Sequence, residues 1–230
     1  MTKVTITATA NAAEKKKADG ADGMSLVPFE RKMPIITHKE QHIYNGYVVL
    51  IEGEIGDIAD FANLIELFAY ATENDTILLQ LFCPGGSMET TEYLCRRMDE
   101  CAAKLIAEIG LTCASGASAL AMHADEWHIY DSSTMMIHSC SYGTGYAKES
   151  DIHGMVDYTH KMNRDFVERT YTGFLTPQEM TDVLRNGHNM YFHADELRKR
   201  EPLYREYLAE QQKAYYEALG QELEEEVWNQ

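Results

Sequence analysis

The sequence predicts an α/β fold built on a mostly parallel sheet, and three observations predict it. Short, mostly apolar runs recur at Tyr47–Ile51 (YVVLI, the β-branched one), Ile77–Phe82 and Leu105–Leu111. Between them lie segments whose apolar residues return every three or four positions, and Gly53, Gly56, Pro84, Gly85 and Gly86 mark the joins. Strands that alternate with helical stretches need crossover connections, and crossovers give parallel pairing.

Taken in order, YVVLI reads as a buried strand. Asp57 is placed to cap a helix with Ile58, Phe61, Ala62, Ile65, Phe68 and Ala69 on its inner face. Ile77–Phe82 forms the second strand. It runs through Pro84, Gly85 and Gly86 to Ser87, which can cap a helix carrying Thr91, Leu94, Cys95, Met98 and Ala102 inward. Leu105–Leu111 is a third strand, ASGASALAMHA a short helix, and WHIY and TMMIH two further strands. From Asp151, the positions Ile152, Met155, Val156, Thr159, Met162, Phe166 and Val167 describe a long amphipathic helix that would leave the sheet as an arm suited to subunit contact. The stretch from about Leu197 to Gln230 is rich in helix formers and is expected to be helical and exposed. Residues 1 to about 25 are small, polar and interrupted by lysines, a composition expected to leave them a mobile leader.

Composition bounds the function. A chain of 230 residues with 45% hydrophobic and 25% charged content buries a core as one globular domain. Its 37 acidic residues against 20 basic ones give a formal charge of -17, which repels phosphate backbones and anionic membrane surfaces, so nucleic acid and membranes are not expected partners. Five cysteines (Cys83, Cys95, Cys101, Cys113 and Cys140) show no CxxC spacing. Neither a disulfide framework nor a zinc knuckle is suggested, and a reducing cytoplasm fits best. No apolar run of a signal peptide opens the sequence, and no span of about 18 apolar residues occurs.

Three segments could carry chemistry together. A serine nucleophile needs a base, an orienter for that base, and backbone N–H groups aimed at the developing oxyanion. CPGGSM places two glycines where a strand gives way to a helix, which frees N–H groups at the helix start. By itself this pattern is more often only a turn. ASGAS sets Ser115 at a helix start with Gly116 behind it; a serine there is ordinarily an N-cap. MMIHS ends an apolar strand on His138, a position more often filled by a satisfied structural histidine. The other histidines form no HExxH or similar ligand pattern, so no metal is expected.

PGG, ASGAS and MMIH, in that order and at these intervals, resemble the proteolytic subunit of the Clp-type serine peptidases, in particular its phage and prophage members. The resemblance extends to YVVLIEGEI and to the helical arm after the histidine, over residues 44–197. It implies the Clp and crotonase type of α/β fold, with repeated β-β-α units and a protruding helical handle. Residues 1–32 would be a flexible leader of the kind that guards an axial entrance in the family, 33–197 the peptidase domain, and 198–230 an acidic helical extension. The implied chemistry is peptide-bond hydrolysis with Ser115 as nucleophile, His138 as base, and the N–H groups of Gly86 and Gly116 as oxyanion hole. SCSYGTGY would correspond to a strand that pairs with substrate backbone, with Cys140 standing where the family has proline.

The implied partners are polypeptide substrates, further copies of the chain in stacked seven-membered rings, and an AAA+ unfoldase. No cofactor is implied in the chain itself, since ATP would be used only by that partner. Two departures stand out. NMYFHADE puts Asn189 where the family has the triad Asp, with Asp182 and Asp195 the nearest acidic substitutes. Leu78 and Gln80 occupy positions where the family carries aromatic residues of an ATPase-docking pocket. Other readings are a phage-type capsid- or scaffold-processing peptidase, a catalytically weak scaffold subunit, and an acyl-CoA-binding crotonase relative.

Overall fold

A computed structural model describes residues 3–10 and 45–228. Seven strands lie in one sheet: β1 (Lys3–Ala10), β2 (Asn45–Glu52), β3 (Thr76–Cys83), β4 (Lys104–Ala114), β5 (Glu126–Ile129), β6 (Thr134–Ile137) and β7 (Met190–His193). Six α-helices accompany them among the described residues: α1 (Ala62–Tyr70), α2 (Met88–Asp99), α3 (Gly116–Met122), α4 (Glu149–Tyr171), α5 (Pro177–Leu184) and α6 (Ala194–Trp228). The sheet order is β1-β2-β3-β4-β6-β7, with β5 also paired to β4. Pairing is parallel from β2 through β6 and antiparallel at the two ends, β1 on β2 and β7 on β6. The expected α/β class with a mostly parallel sheet is the one observed.

The period-two burial of the strands explains the layering. Val49 and Ile51 on β2, Ile77, Leu79, Leu81 and Cys83 on β3, and Leu105, Ala107 and Ile109 on β4 are buried, and belong to one core with Phe61, Leu64, Phe68, Leu94 and Met98 of the helical layer. β4 is long enough to pair twice along one edge, with β5 at Ile106–Ile109 and with β6 at Cys113–Ala114. Between those stretches, the β3–β4 register shifts at Leu81–Cys83. Gly110 permits this close passage, because a Cβ there would lie 2.5 Å from the Leu81 carbonyl oxygen. The shift carries the ends of β3 and β4 into the turns that bear Gly86 and Ser115.

Caps form as the sequence suggests. Asp57 Oδ1 accepts the Ala59 N–H (2.8 Å) at a 3-10 turn leading into α1, and Ser87 Oγ accepts the Thr90 N–H (3.2 Å) at the start of α2. The inner face of α1 is Leu64 and Phe68, while Ala62 and Ala69 are exposed; Ala102 lies beyond the end of α2 and is exposed too. The Asp151 arm is α4. Up to Met162 it presents Val156, Tyr158 and Met162 to solvent, and from Asn163 onward it buries Asn163, Val167, Thr170 and Tyr171.

Three expectations need correction. Lys3–Ala10, assigned to the leader, is a strand paired antiparallel with β2 from Lys3↔Glu52 to Ala10↔Asn45. KVTITATA alternates β-branched residues, a strand signal that averaging composition over 25 residues conceals. The rest of the leader, and residues 33–44 of the expected peptidase domain, lie outside the described residues. SCSYGTGY is irregular in the single chain and forms no strand.

The third correction concerns the last helix, which is not simply an exposed extension beginning at 198. α6 starts at Ala194, and Leu197 and Tyr204 are buried in the core. Tyr204 stacks on Trp127 (centroids 6.3 Å apart), and Phe174 meets Phe192 edge-on at 5.1 Å. Arg200 holds Glu179 of α5 through two contacts of 2.7 and 2.8 Å and lies 4.7 Å over the Phe192 ring. The first turns of α6 thus belong to the body, and the exposed part follows from Ala209 to Leu219. No helix among the described residues is long and apolar enough to cross a membrane. Tyr204→Ala, by emptying one side of this aromatic cluster, is expected to lower the unfolding free energy by about 3–5 kcal/mol in chemical denaturation.

Candidate active site

Two sharp turns meet at the carboxyl ends of β3 and β4. After β3 the chain passes through Pro84 to Gly85, whose φ of +94 is a glycine conformation. A Cβ on Gly85 would stand 2.5 Å from the Ser115 Cβ and 2.6 Å from the Gly116 nitrogen, so only glycine lets the turns touch. Ile55 fixes the next residue from the other side: its N–H donates to the Gly85 carbonyl (2.7 Å), and its carbonyl accepts the Ser87 N–H (2.7 Å). A Cβ on Gly86 would fall 2.1 Å from the Ile55 oxygen. The Gly86 N–H, between these two bonds, has no protein acceptor among the described residues.

After β4, Ser115 adopts φ 54 and ψ −122 and is the one non-glycine residue with positive φ among those described. Such a conformation costs on the order of 1–3 kcal/mol in an L residue and persists only where the surroundings impose it. The impositions are visible. The Ser115 N–H donates to the Met136 carbonyl of β6 (2.8 Å), and its carbonyl accepts the Ser118 N–H (2.9 Å) and the Ser118 hydroxyl (2.6 Å). The Ser118 hydroxyl is in turn 2.8 Å from the phenol oxygen of Tyr171 on α4, and both residues are buried. Ser115 occupies the N-cap position of α3, yet its hydroxyl makes no capping bond. The ordinary N-cap role weighed from sequence is therefore not the one it fills. Ser118 is fully buried with its hydroxyl engaged, so it offers no free nucleophile beside Ser115.

Gly116 opens α3 with an N–H that no protein group accepts among the described residues. It too must be glycine: a Cβ would lie 2.5 Å from Thr91 Oγ1, which is itself bonded to the Ser87 carbonyl (2.8 Å). His138 follows the last residue of β6 and is partly buried, and this burial holds its imidazole below the ordinary histidine range. Gly86, Ser115, Gly116 and His138 all line one cavity of about 30 Å³, room for roughly one water-sized oxygen. Four of the five site residues expected from sequence are thus brought together.

Asn189 is not among them. It is exposed and stands just before β7, one step past the last β6–β7 pair, Ile137↔Met190, so its backbone faces the His138 position. No hydrogen bond joins the two side chains, and burial alone perturbs the His138 imidazole. The acidic substitutes are engaged elsewhere. Asp182 Oδ1 accepts from Gln178 (3.2 Å) and Asn186 (2.7 Å), and Asp195 pairs with Lys199 at 3.6 Å. The short loop before β7 leaves residue 189 in solvent, which explains why alignment with a triad position did not deliver a contact.

Sequence reading missed the bracing role of Ser118, and it missed Tyr171 and Asn163 as contributors. Ser118 and Tyr171 brace the strained serine; Asn163 lines the cavity and accepts the Cys140 N–H at Oδ1 (2.8 Å). Tyr171 and Asn163 sit on the buried side of α4, and the amphipathic pattern that identified the helix could have flagged a buried Asn within it. No group of three His, Cys, Asp or Glu side chains arranged to hold a metal occurs among the described residues. Ser115→Gly is expected to raise the unfolding free energy by about 1 kcal/mol or more relative to Ser115→Ala in denaturant titrations, because glycine alone relieves the strained φ.

Neither the models of known protein families nor the curated proteins compared with this chain yield a match.

Proposed function

We propose that the chain is a serine endopeptidase subunit of the Clp type. The observation that carries this reading is Ser115, held in a strained conformation with an uncommitted hydroxyl, sharing a cavity the size of one oxygen with His138, Gly86 and Gly116. In the proposed reaction, Ser115 Oγ attacks the scissile carbonyl while its proton passes to the neutral His138 imidazole. The carbonyl oxygen, now negative, is received by the N–H groups of Gly86 and Gly116. Collapse of the tetrahedral species breaks the C–N bond, and His138 returns the proton to the leaving amine. Water then repeats the sequence on the acyl-enzyme.

The finer fold reading belongs to this proposal: a Clp and crotonase type of core with α4 as the protruding handle. So do its consequences, namely assembly of copies into stacked rings of seven, unfolded or processed polypeptides as substrates, a possible AAA+ unfoldase as the ATP-using partner, and a cytoplasmic location. Enclosure has a physical rationale, since a peptidase without a selective pocket attacks folded neighbours unless access is restricted. A second reading, a weakly catalytic scaffold subunit, is favoured by one observation: among the described residues no carboxylate is bonded to His138.

Peptide hydrolysis by the purified chain is expected to be lost in Ser115→Ala with assembly unchanged; full activity in that variant contradicts the reading. Burial disfavours the charged imidazole, so the base stays neutral to lower pH than an ordinary histidine. The acid limb of kcat/KM should accordingly fall at a pH below an ordinary histidine's pKa. Asn189→Asp is expected to raise kcat, by up to about 10⁴-fold where charge is the missing element. Asn189→Ala leaves kcat at or below the parent value. An Asn189→Asp variant no faster than the parent removes residue 189 from the catalytic group.

A further inference from the structure

Asn163 is an unusual residue to find inside α4. It is 8% exposed, one of two buried polar residues of that helix with Thr170, and a buried amide is costly unless its donors and acceptor find partners. Its acceptor is satisfied, since Oδ1 takes the Cys140 N–H at 2.8 Å. That bond also settles the amide's orientation: an N–H faces one end, so the oxygen must be there and the nitrogen at the other. The nitrogen donates to no protein group among the described residues. Asn163 lines the same cavity of about 30 Å³ as Ser115, Gly86 and Gly116.

Three residues that line one small space therefore carry donors without a protein acceptor among the described residues: the Gly86 N–H, the Gly116 N–H and the Asn163 Nδ2 hydrogens. An occupant that answers them all is an oxygen rich in lone pairs, and more so when it is negative. We infer that Asn163 is a further substrate-binding residue, whose Nδ2 donates a third hydrogen bond to the scissile carbonyl oxygen as it becomes the oxyanion. The inference rests on the serine-peptidase reading of the same cavity. It also gives the Cys140 bond a purpose: by holding Oδ1, the segment that follows His138 aims the amide nitrogen, so base and oxyanion donor are set by one contact.

Asn163→Asp separates this role from a purely structural one, because it keeps an oxygen for the Cys140 N–H while removing the donor. On the upper plateau of the pH–rate profile, Asn163→Asp is expected to lose about 10²-fold or more in kcat, with KM and the thermal midpoint near the parent's. Asn163→Ala is expected to show the same kcat loss together with a lower midpoint, and it carries the test if a charge at 163 prevents folding. Parental kcat in a folded variant that lacks the donor, or a loss carried wholly in KM, overturns the inference while Ser115-dependent hydrolysis by the parent upholds the peptidase reading. A parent with no Ser115-dependent hydrolysis overturns both.

Discussion

The contact between two backbone turns, Gly85 against Ser115 and Gly116, is the constraint on which the site depends. At 2.5–2.7 Å from a would-be Cβ there is space for hydrogen and nothing larger, so the ends of β3 and β4 are locked at a fixed distance. That distance forces Ser115 out of the ordinary backbone regions and turns its hydroxyl away from the helix it would otherwise cap. It also brings two helix starts side by side, α2 behind Gly86 and α3 at Gly116, with N–H groups that find no protein acceptor among the described residues. Strand register, glycine content and hydroxyl orientation are thus one problem with one solution.

Strain of this kind needs a brace, and α4 supplies it. Tyr171 reaches the Ser115 carbonyl through the Ser118 hydroxyl, while Asn163, eight residues earlier on the same helix, grips Cys140 beyond His138. Ser115 and His138 follow different strands, yet both are tied to one rigid element. About 12 Å of helix separates the two anchoring residues at 1.5 Å per residue. A displacement of α4 would therefore be felt at both ends of the site. Its exposed first half, carrying Val156 and Tyr158, is a lever outside the body of the chain.

Much of this was legible in the sequence because it follows from local rules. Short apolar runs gave β2, β3 and β4, and glycine and serine at the joins gave the turns and caps. What escaped depends on tertiary placement. β1 was hidden inside a stretch whose average composition resembles a tail, although its Thr, Val and Ile alternate. Tyr204 and Arg200 look like members of a charged helix until Trp127, Phe192 and Glu179 are seen beside them. Ser115, Gly116, Gly86 and His138 were found by order and interval, whereas the φ of Ser115 could not be, since serine has no preference for that conformation. Asn189 shows the converse: its register beside β6 is as the motif suggests, but side-chain contact with His138 is absent.

The central claim is that Ser115 is a nucleophile activated by His138, and covalent labelling tests it most directly. A fluorophosphonate reacts with a serine whose proton a neighbouring base can take, and it does so without any assumption about substrate sequence or a partner ATPase. Incubation of the native chain followed by mass-spectrometric mapping is predicted to place a single adduct on Ser115, with labelling greatly slowed in His138→Ala. An unlabelled chain, or an adduct on another serine that forms equally fast in His138→Ala, would contradict the account.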